Sequence, residues 1–366
     1  MAAATDARPH EPMHAARADE AGEPASEPEA PEAESGLPEW LRGLSVSAFA
    51  DAYAQGVWTV AHPFSGDHSD VLAHRAFTTE AGLTLSFLGV DIAYRFESVG
   101  ARLDIRLGTS VPRLLGPTSG LPDGMQFLKQ AFVYWRPVEQ LQIDFGQFDT
   151  IYGAEVADSW RNHNYSRGSL YNLVQPFYHT GLRVAWEPVE SVTLTGIAVN
   201  GWNNVLDGND GKTFGLQASW SSGGVGVAAG YLGGPEGTRD DLWRHFADLV
   251  VTLRVDQLEL ALNGDYVAEQ VEDGSFDQLW GVMLSGRLRV PPLFAVALRG
   301  EVIGDPEAGA QLYTGTLTLE LTPVEHLVIR LDNRVDAASD PRFQDNNGLP
   351  AHTVVSTILG VVVHSD

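Results

Sequence analysis

The chain has 366 residues, 44% of them apolar, and a formal net charge of −25. That acidic surplus excludes nucleic acid as a natural partner, and the lack of any cysteine excludes disulfides and thiolate metal sites. No run approaches the roughly 20 apolar residues that a membrane helix requires. Part of the charge is local, because residues 1–40 carry ten acidic side chains against Arg8 and Arg17. This Ala/Pro/Glu-rich segment has almost no large apolar residue before Leu37, so it cannot bury a core and is expected to be a disordered acidic tail. It also lacks the basic start and apolar stretch of an export signal. Residues 41–366 are read as one domain.

From Ser45 onward the chain alternates. The first strand is expected over Ser45–Trp58, and the next over Leu83–Glu97, where Leu88-Gly89 is a bulge or a turn. Leu103, Ile105 and Leu107 then oppose Arg102, Asp104 and Arg106; Leu141, Ile143 and Phe145 oppose Gln142 and Asp144. Leu182, Val184 and Trp186 flank Arg183, and Val251, Leu253 and Val255 flank Arg254. Leu258, Leu260 and Leu262 oppose Glu259 and Asp265; Arg287, Arg289, Arg299 and Glu301 interrupt apolar partners in the same way. Around Thr322-Pro323-Val324-Glu325, Leu317, Leu319 and Leu321 precede the turn while Leu327, Ile329 and Leu331 follow it. Glu320, Arg330, Asp332, Arg334 and Asp336 occupy the opposite face. Thr353–Val363 is the expected closing strand. Period-2 alternation with full charges on one face places oil on one side of the sheet and water on the other.

Turn signals divide this pattern regularly. Arg136-Pro137-Val138-Glu139, Glu187-Pro188-Val189-Glu190 and the Pro323 copy repeat one motif, and Gly100, Gly223, Asp256 and Pro291 complete seven anchors. Seven anchored strand pairs plus one strand at each end give about 16 strands, with 14–18 compatible with the pattern. The fold class predicted is therefore all-β, a transmembrane antiparallel β-barrel with short periplasmic turns, long extracellular loops and a periplasmic tail. Trp135, Trp186, Tyr134 and Trp220 before short turns, and Tyr231, Trp202, Trp243 and Trp280 beside long loops, are expected to form two interfacial belts. Strand parity assigns Arg102, Arg106, Arg183, Arg254, Arg287, Arg289, Arg299, Arg330 and Arg334 to the lumen. Asp104, Asp144, Glu259, Asp265, Glu301, Glu320, Asp332 and Asp336 face them, so the wall is nearly neutral.

The richest local sequence follows Phe148. It runs Gly146-Gln147-Phe148 to Gly153-Ala154-Glu155, then Asn164-Tyr165-Ser166-Arg167, Pro176-Phe177-Tyr178-His179-Thr180-Gly181 and Asn200-Gly201-Trp202-Asn203-Asn204. These motifs, over about 60 residues, resemble the β-barrel porin-2 family, the OmpL-like porins of the bacterial outer membrane, with looser similarity over residues 45–363. The resemblance implies an outer-membrane channel for passive diffusion of small hydrophilic solutes and ions. It offers no catalytic residues and implies no cofactor. The polar ending Val363-His364-Ser365-Asp366 departs from the terminal aromatic usual in such barrels.

The loop Thr150–Gln175 is the candidate constriction, through Glu155, Asp158, Arg161 and Arg167. Outer-membrane lipid and small solutes are the expected partners, and porins of this size often form trimers. His62, His68 and His74 beside Asp67 and Asp70 read as a solvated loop rather than a metal site, and Asp207-Gly208-Asn209-Asp210-Gly211 reads as turn chemistry rather than a calcium loop. Catalysis would need Ser166 beside His163 or His179, and no nucleophile elbow is present. The alternatives to a passive porin are an anion- or phosphate-selective channel, a barrel enzyme and a secreted soluble β-sandwich.

Overall fold

The computed structural model describes residues 43–115, 124–236, 241–290 and 292–365. The expectations for the 1–40 tail and for Pro291 itself lie outside them. Sixteen strands carry the fold. They are β1 (Leu44–Val57), β2 (Glu80–Phe96), β3 (Val99–Leu107), β4 (Leu128–Val138), β5 (Leu141–Asp149), β6 (Tyr178–Val189), β7 (Val192–Val199) and β8 (Thr213–Ser222). The second half comprises β9 (Val225–Pro235), β10 (Trp243–Val255), β11 (Leu258–Gln270), β12 (Phe276–Val290), β13 (Phe294–Asp305), β14 (Ala310–Val324), β15 (Leu327–Ala338) and β16 (Thr353–His364). Every strand pairs antiparallel with its chain neighbours, and β1 pairs with β16 from Phe49↔His364 to Val57↔Ser356, which closes the barrel and leaves no edge.

One rim carries tight turns and the other carries loops, here called the turn end and the loop end. The three proline motifs share one geometry. In each, two residues of one strand face a single residue of the next, with register shifts between Trp135/Val138, Trp186/Val189 and Leu321/Val324. This is a bulge immediately before the turn, where proline, lacking an N–H, breaks no ladder bond. The residue ahead of each proline donates its own N–H to the adjacent hairpin: Arg136 to Ser98 O, Glu187 to Gln140 O and Thr322 to Leu293 O, at 2.7–2.8 Å. Gly223 and Gly224 both adopt positive φ, the hairpin-turn conformation that side chains disfavour. Gly100, by contrast, lies within β3; that turn is Glu97-Ser98, with Glu97 at φ 51°. Leu88-Gly89 is neither bulge nor turn. The irregularity falls at Ser86, the extra residue opposite Asp51 and Ala52.

The outer face is apolar and uncovered. Leu83 is 91% exposed, Leu216 69% and Phe145 66%, values that suit lipid contact and not an aqueous surface. Trp135, Trp186 and Trp220 lie on this face at the turn end, and Tyr231, Trp243 and Trp280 toward the loop end. Two expected belt members face inward instead. Tyr134 sits opposite Gly100 on the lumenal face and stacks on Arg136, and Trp202 packs inside against Phe246 and Arg244.

Candidate functional site: the inward loop and the lumen wall

Strand alternation puts all seventeen charged residues read from the sequence on the inward face. A wide barrel would leave them in water. Here most are covered: the third loop, residues 150–177, runs into the lumen and binds several of them, and others pair with one another or with the first loop.

Its first stem starts at the wall it leaves. Thr150 Oγ1 lies 3.2 Å from His179 Nε2, and the Ile151 carbonyl accepts from Gln217. The Tyr152 hydroxyl donates to Tyr231 O at 2.8 Å. Gly153 N donates to Asp248 at 3.2 Å, and Ala154 N to Asn263 at 2.9 Å. The returning stem reaches the same place: Gln175 Nε2 donates to Asn263 (2.7 Å) and Asp265 (2.6 Å). Asp248 and Asp265 face each other across β10 and β11.

Beyond the stems the loop crosses to β13–β16. Arg299 donates to Glu155 at 2.7 Å and to the Ser166 carbonyl. Glu301 accepts from the Ser169 and Leu170 N–H groups at 3.1 and 3.0 Å, covering the exposed amides of the short helix α1 (Ser169–Leu173). Asp332 accepts from both N and Oγ of Ser166 at 2.8 Å. Arg330 donates to Ser159 O at 2.6 Å, and Arg334 to Arg167 O at 2.8 Å. On the far side Asp158 pairs with Arg106 (3.2 Å) and Lys129 (3.4 Å), while Asp51 accepts from Ser159 and Tyr165. Of the four loop residues singled out in the sequence, Glu155 and Asp158 therefore pair with the wall. Arg161 lies over Trp160 and Arg167 over Phe77.

Ion pairing is nearly complete among the lumenal groups. Asp144 holds Arg183 (2.6 Å), Asp104 holds Arg102 (2.5 Å), and Glu320 binds Arg330 (2.8 Å) and Arg287. Asp336 holds Arg334 (2.7 Å) and, from the first loop, Arg75 (2.5 Å) and His74 (3.0 Å). Near the turn end Glu259 is approached by Arg254 (3.7 Å), Arg287 (3.5 Å) and Arg289 (2.8 Å). Arg75, Asp51, Asp91, Lys129, Asp248 and Asn263 were not singled out in the sequence. Asp51, Asp91, Asp248 and Asn263 lie on strands at inward parity, so the alternation contains a signal for them; Lys129 has the opposite parity and enters only as the extra residue of a bulge opposite Asp104 and Ile105. Arg75 lies on a loop and has none.

This constellation is an inward loop held across a large, apolar-skinned barrel. The pattern of the family described as Putative beta-barrel porin-2, OmpL-like, matches residues 43–364. The chain belongs to this porin family. Among solved structures it is similar to an anion-selective porin from Comamonas acidovorans, at 10% identity, covering 88% of this chain and 99% of that one with a TM-score of 0.60. It is similar also to the outer membrane channel DcaP of Acinetobacter baumannii (11% identity, 88% and 97% covered, TM-score 0.59). The trimer form of OmpT, an outer membrane protein of Vibrio cholerae, is a further likeness (11% identity, 88% and 99% covered, TM-score 0.57). No curated protein matches the sequence. The porin is thus an outer-membrane channel that works by passive diffusion.

The remaining sequence candidates are dispersed. Ser166 Oγ donates to Asp332, His163 Nδ1 meets Ser285 at 3.0 Å, and His179 bonds Thr150 and Gly201, so the suspected Ser/His pair is not assembled. His74 points at Asp336 inside the barrel, whereas His62 is exposed and offers its carbonyl to His68. Asp207 accepts from Asn209 N at 3.2 Å, as an Asx turn does, and pairs with Lys212.

The electrostatics of the loop reflect its enclosure. Burial alone would raise the Asp158 carboxyl, but Arg106, Lys129 and Arg161 overcome it and hold the group far below the ordinary range. Burial lowers the His163 imidazole to about 4, against the pull of Glu259. A histidine held neutral stabilises the anchored loop fully above its unfolded value near 6.5, and that contribution disappears as pH falls from there toward 4. The loss amounts to about 3 kcal/mol. Urea unfolding of the wild type and of His163→Gln at pH 7 and pH 4 should therefore show a smaller acid-induced drop in the variant. Equal drops would place the acid sensitivity elsewhere.

Proposed function

We propose that the porin passes small hydrophilic solutes and ions down their own gradients with little discrimination by charge, and that residues 150–177 set the width of its channel. The observation that carries this reading is the two-stem anchoring of that segment across the lumen, through Asn263 on one side and Arg299, Asp332 and Arg334 on the other. The seventeen lumenal charges then divide by role. Arg102, Arg254, Glu259, Arg287 and Arg289 keep solvent exposure and border water, while the others position loops or one another. Selectivity follows from the charges left facing water. At the loop end Glu269, Asp277, Asp305 and Glu307 surround a chamber with Arg244, which favours a mild preference for cations.

The three arginines around Glu259 favour a second reading, an anion-selective channel, and the likeness to an anion-selective porin supports it. A trimeric assembly is supported by the trimer form of the Vibrio protein. Residues 1–40 act as an acidic periplasmic spacer ahead of the barrel domain, and no catalytic residue or cofactor is assigned. The test is planar-bilayer recording of the full chain under a salt gradient. Discrete conductance steps with a small reversal potential of cation sign are expected. An anion sign moves the reading to the second alternative, and a folded protein that never conducts removes both.

A further inference from the structure

Arg299, Arg330 and Arg334 commit their terminal N–H groups to carboxylates and to carbonyls of the inward loop. Arg183 does not. Its side chain is 1% exposed, yet only Nε is bonded, to Asp144 at 2.6 Å, and both Nη groups are buried without a hydrogen-bond partner among the described residues. The side chain has little freedom to seek one. The Phe148 and Phe132 ring centroids lie 4.5 and 5.3 Å from its guanidinium carbon. The Asp144 carboxylate that holds Nε is itself held by Gln142 at 2.7 Å, and Gln142 accepts from Arg136 at 2.7 Å. The two Nη groups of a guanidinium form a fork that matches the two oxygens of a carboxylate. A buried fork left unpaired is costly, so its presence calls for an acceptor.

The fork borders a recess of about 660 Å³ at the turn end, between the walls β4 to β8. The charges of this recess are sorted by depth. Arg183 and Arg136 stand against Asp144 within it, two cations to one anion, while Glu139 and Glu187 belong to the turns at its mouth. Glu187 lies four residues from Arg183 along β6, about 13 Å at the rise of an extended strand. That exceeds the screening length of about 8 Å at physiological ionic strength, so the two glutamates scarcely oppose an anion seated on Arg183. Thr193, Thr195 and Ser219 also line the recess and bring hydroxyl donors, and Ile151 and Ala185 add apolar surface.

We propose that this recess binds small monocarboxylates, the carboxylate on the Nη fork of Arg183 and the alkyl end toward Ile151 and Ala185. The role in transport rests on the porin reading: the site is a stopping place for short-chain carboxylates near the turn-end mouth of the channel. The hydroxyls serve the oxygen lone pairs that the fork leaves over. A second carboxylate on the same solute would meet Asp144 or the glutamates of the mouth, so dicarboxylates bind less well.

Saturation-transfer NMR of acetate with the full chain refolded in detergent tests the site. Saturation of the protein's aromatic protons should reach the acetate methyl, formate should compete, and malonate should compete at least tenfold more weakly. Arg183→Met/Asp144→Asn removes the fork together with the carboxylate that it would strand. Thr195→Phe fills the recess and leaves both in place. Each should weaken acetate binding at least tenfold. Wild-type affinity in either folded variant overturns the site, as does a wild type without saturable binding, and malonate equal to formate overturns the solute class. Should the double variant fail to fold, Thr195→Phe decides alone. In proteoliposomes acetate influx should level off over the concentrations that fill the site, and influx that stays linear overturns the role in transport. A chain that binds acetate but never conducts defeats the porin reading, whereas one that conducts but binds no acetate defeats only this inference.

Discussion

Arg299→Ala is expected to lower the unfolding free energy of the barrel by about 3–5 kcal/mol, the cost of leaving buried charges without a partner. Arg299 is 2% exposed and bridges Glu155 of the loop, Glu301 of its own strand (3.4 Å) and the Ser166 carbonyl. Truncation leaves two buried carboxylates with neutral hydrogen-bond donors alone, Gly168 N for Glu155 and Ser169 N, Leu170 N and Thr314 Oγ1 for Glu301, and no other cation lies in ion-pair contact with either carboxylate among the described residues. The pairing itself is not what supplies the energy, since a buried ion pair roughly offsets its own desolvation. The double variant Arg299→Met/Glu155→Gln should therefore recover part of the loss. Urea-induced unfolding in lipid vesicles measures both. A single variant within 1 kcal/mol of wild type would mean that water reaches this network freely.

Removal of the inward loop should have the largest effect on transport. Replacing residues 154–174 by a short glycine–serine link is expected to raise single-channel conductance severalfold. The segment fills the middle of the lumen, and its removal leaves the wall of a sixteen-stranded barrel facing water. Arg330, Asp332 and Arg334 would lose main-chain partners but gain hydration, so the barrel should still form. Expected with it is a shift in reversal potential, because charges now committed to the loop would face the current. An unchanged conductance in a correctly folded barrel would show that the constriction is made by other segments.

Much of this architecture is legible in the residues before any coordinates. The expected first and last strands, Ser45–Trp58 and Thr353–Val363, differ from β1 and β16 by one residue at each displaced end. They are legible because alternation is a local property. The errors cluster where locality fails. Tyr134 and Trp202 look like interface aromatics by position along the chain, but parity sends one inward and a loop carries the other over Phe246. Leu88-Gly89 contains a turn-favouring glycine, yet the strand continues and bulges at Ser86, beside the inward first and second loops. The lumenal charges were readable by parity, but not their partners. Arg75 meets Asp336 across 261 residues, and Arg334 meets Arg167 O across 167. No periodicity records a contact made by a loop that turns back into its own barrel.

The proline bulges bear on how the molecule avoids assembling wrongly. A strand that slips by one residue exchanges its two faces. For β15 that would send Arg330, Asp332, Arg334 and Asp336 into hydrocarbon and bring Leu331 and Val335 into the lumen. Arginine at the bilayer midplane costs about 2–4 kcal/mol, so several at once would make the slipped hairpin prohibitive once inserted. The difficulty is earlier, while the sheet is still zipping and lipid has not yet judged it. A two-against-one bulge at Pro137, Pro188 and Pro323 acts as a notch that fits in only one alignment, with the preceding N–H keyed to the neighbouring hairpin. Three of the seven tight turns thus carry their own proofreading mark, written in the repeated Pro-Val-Glu.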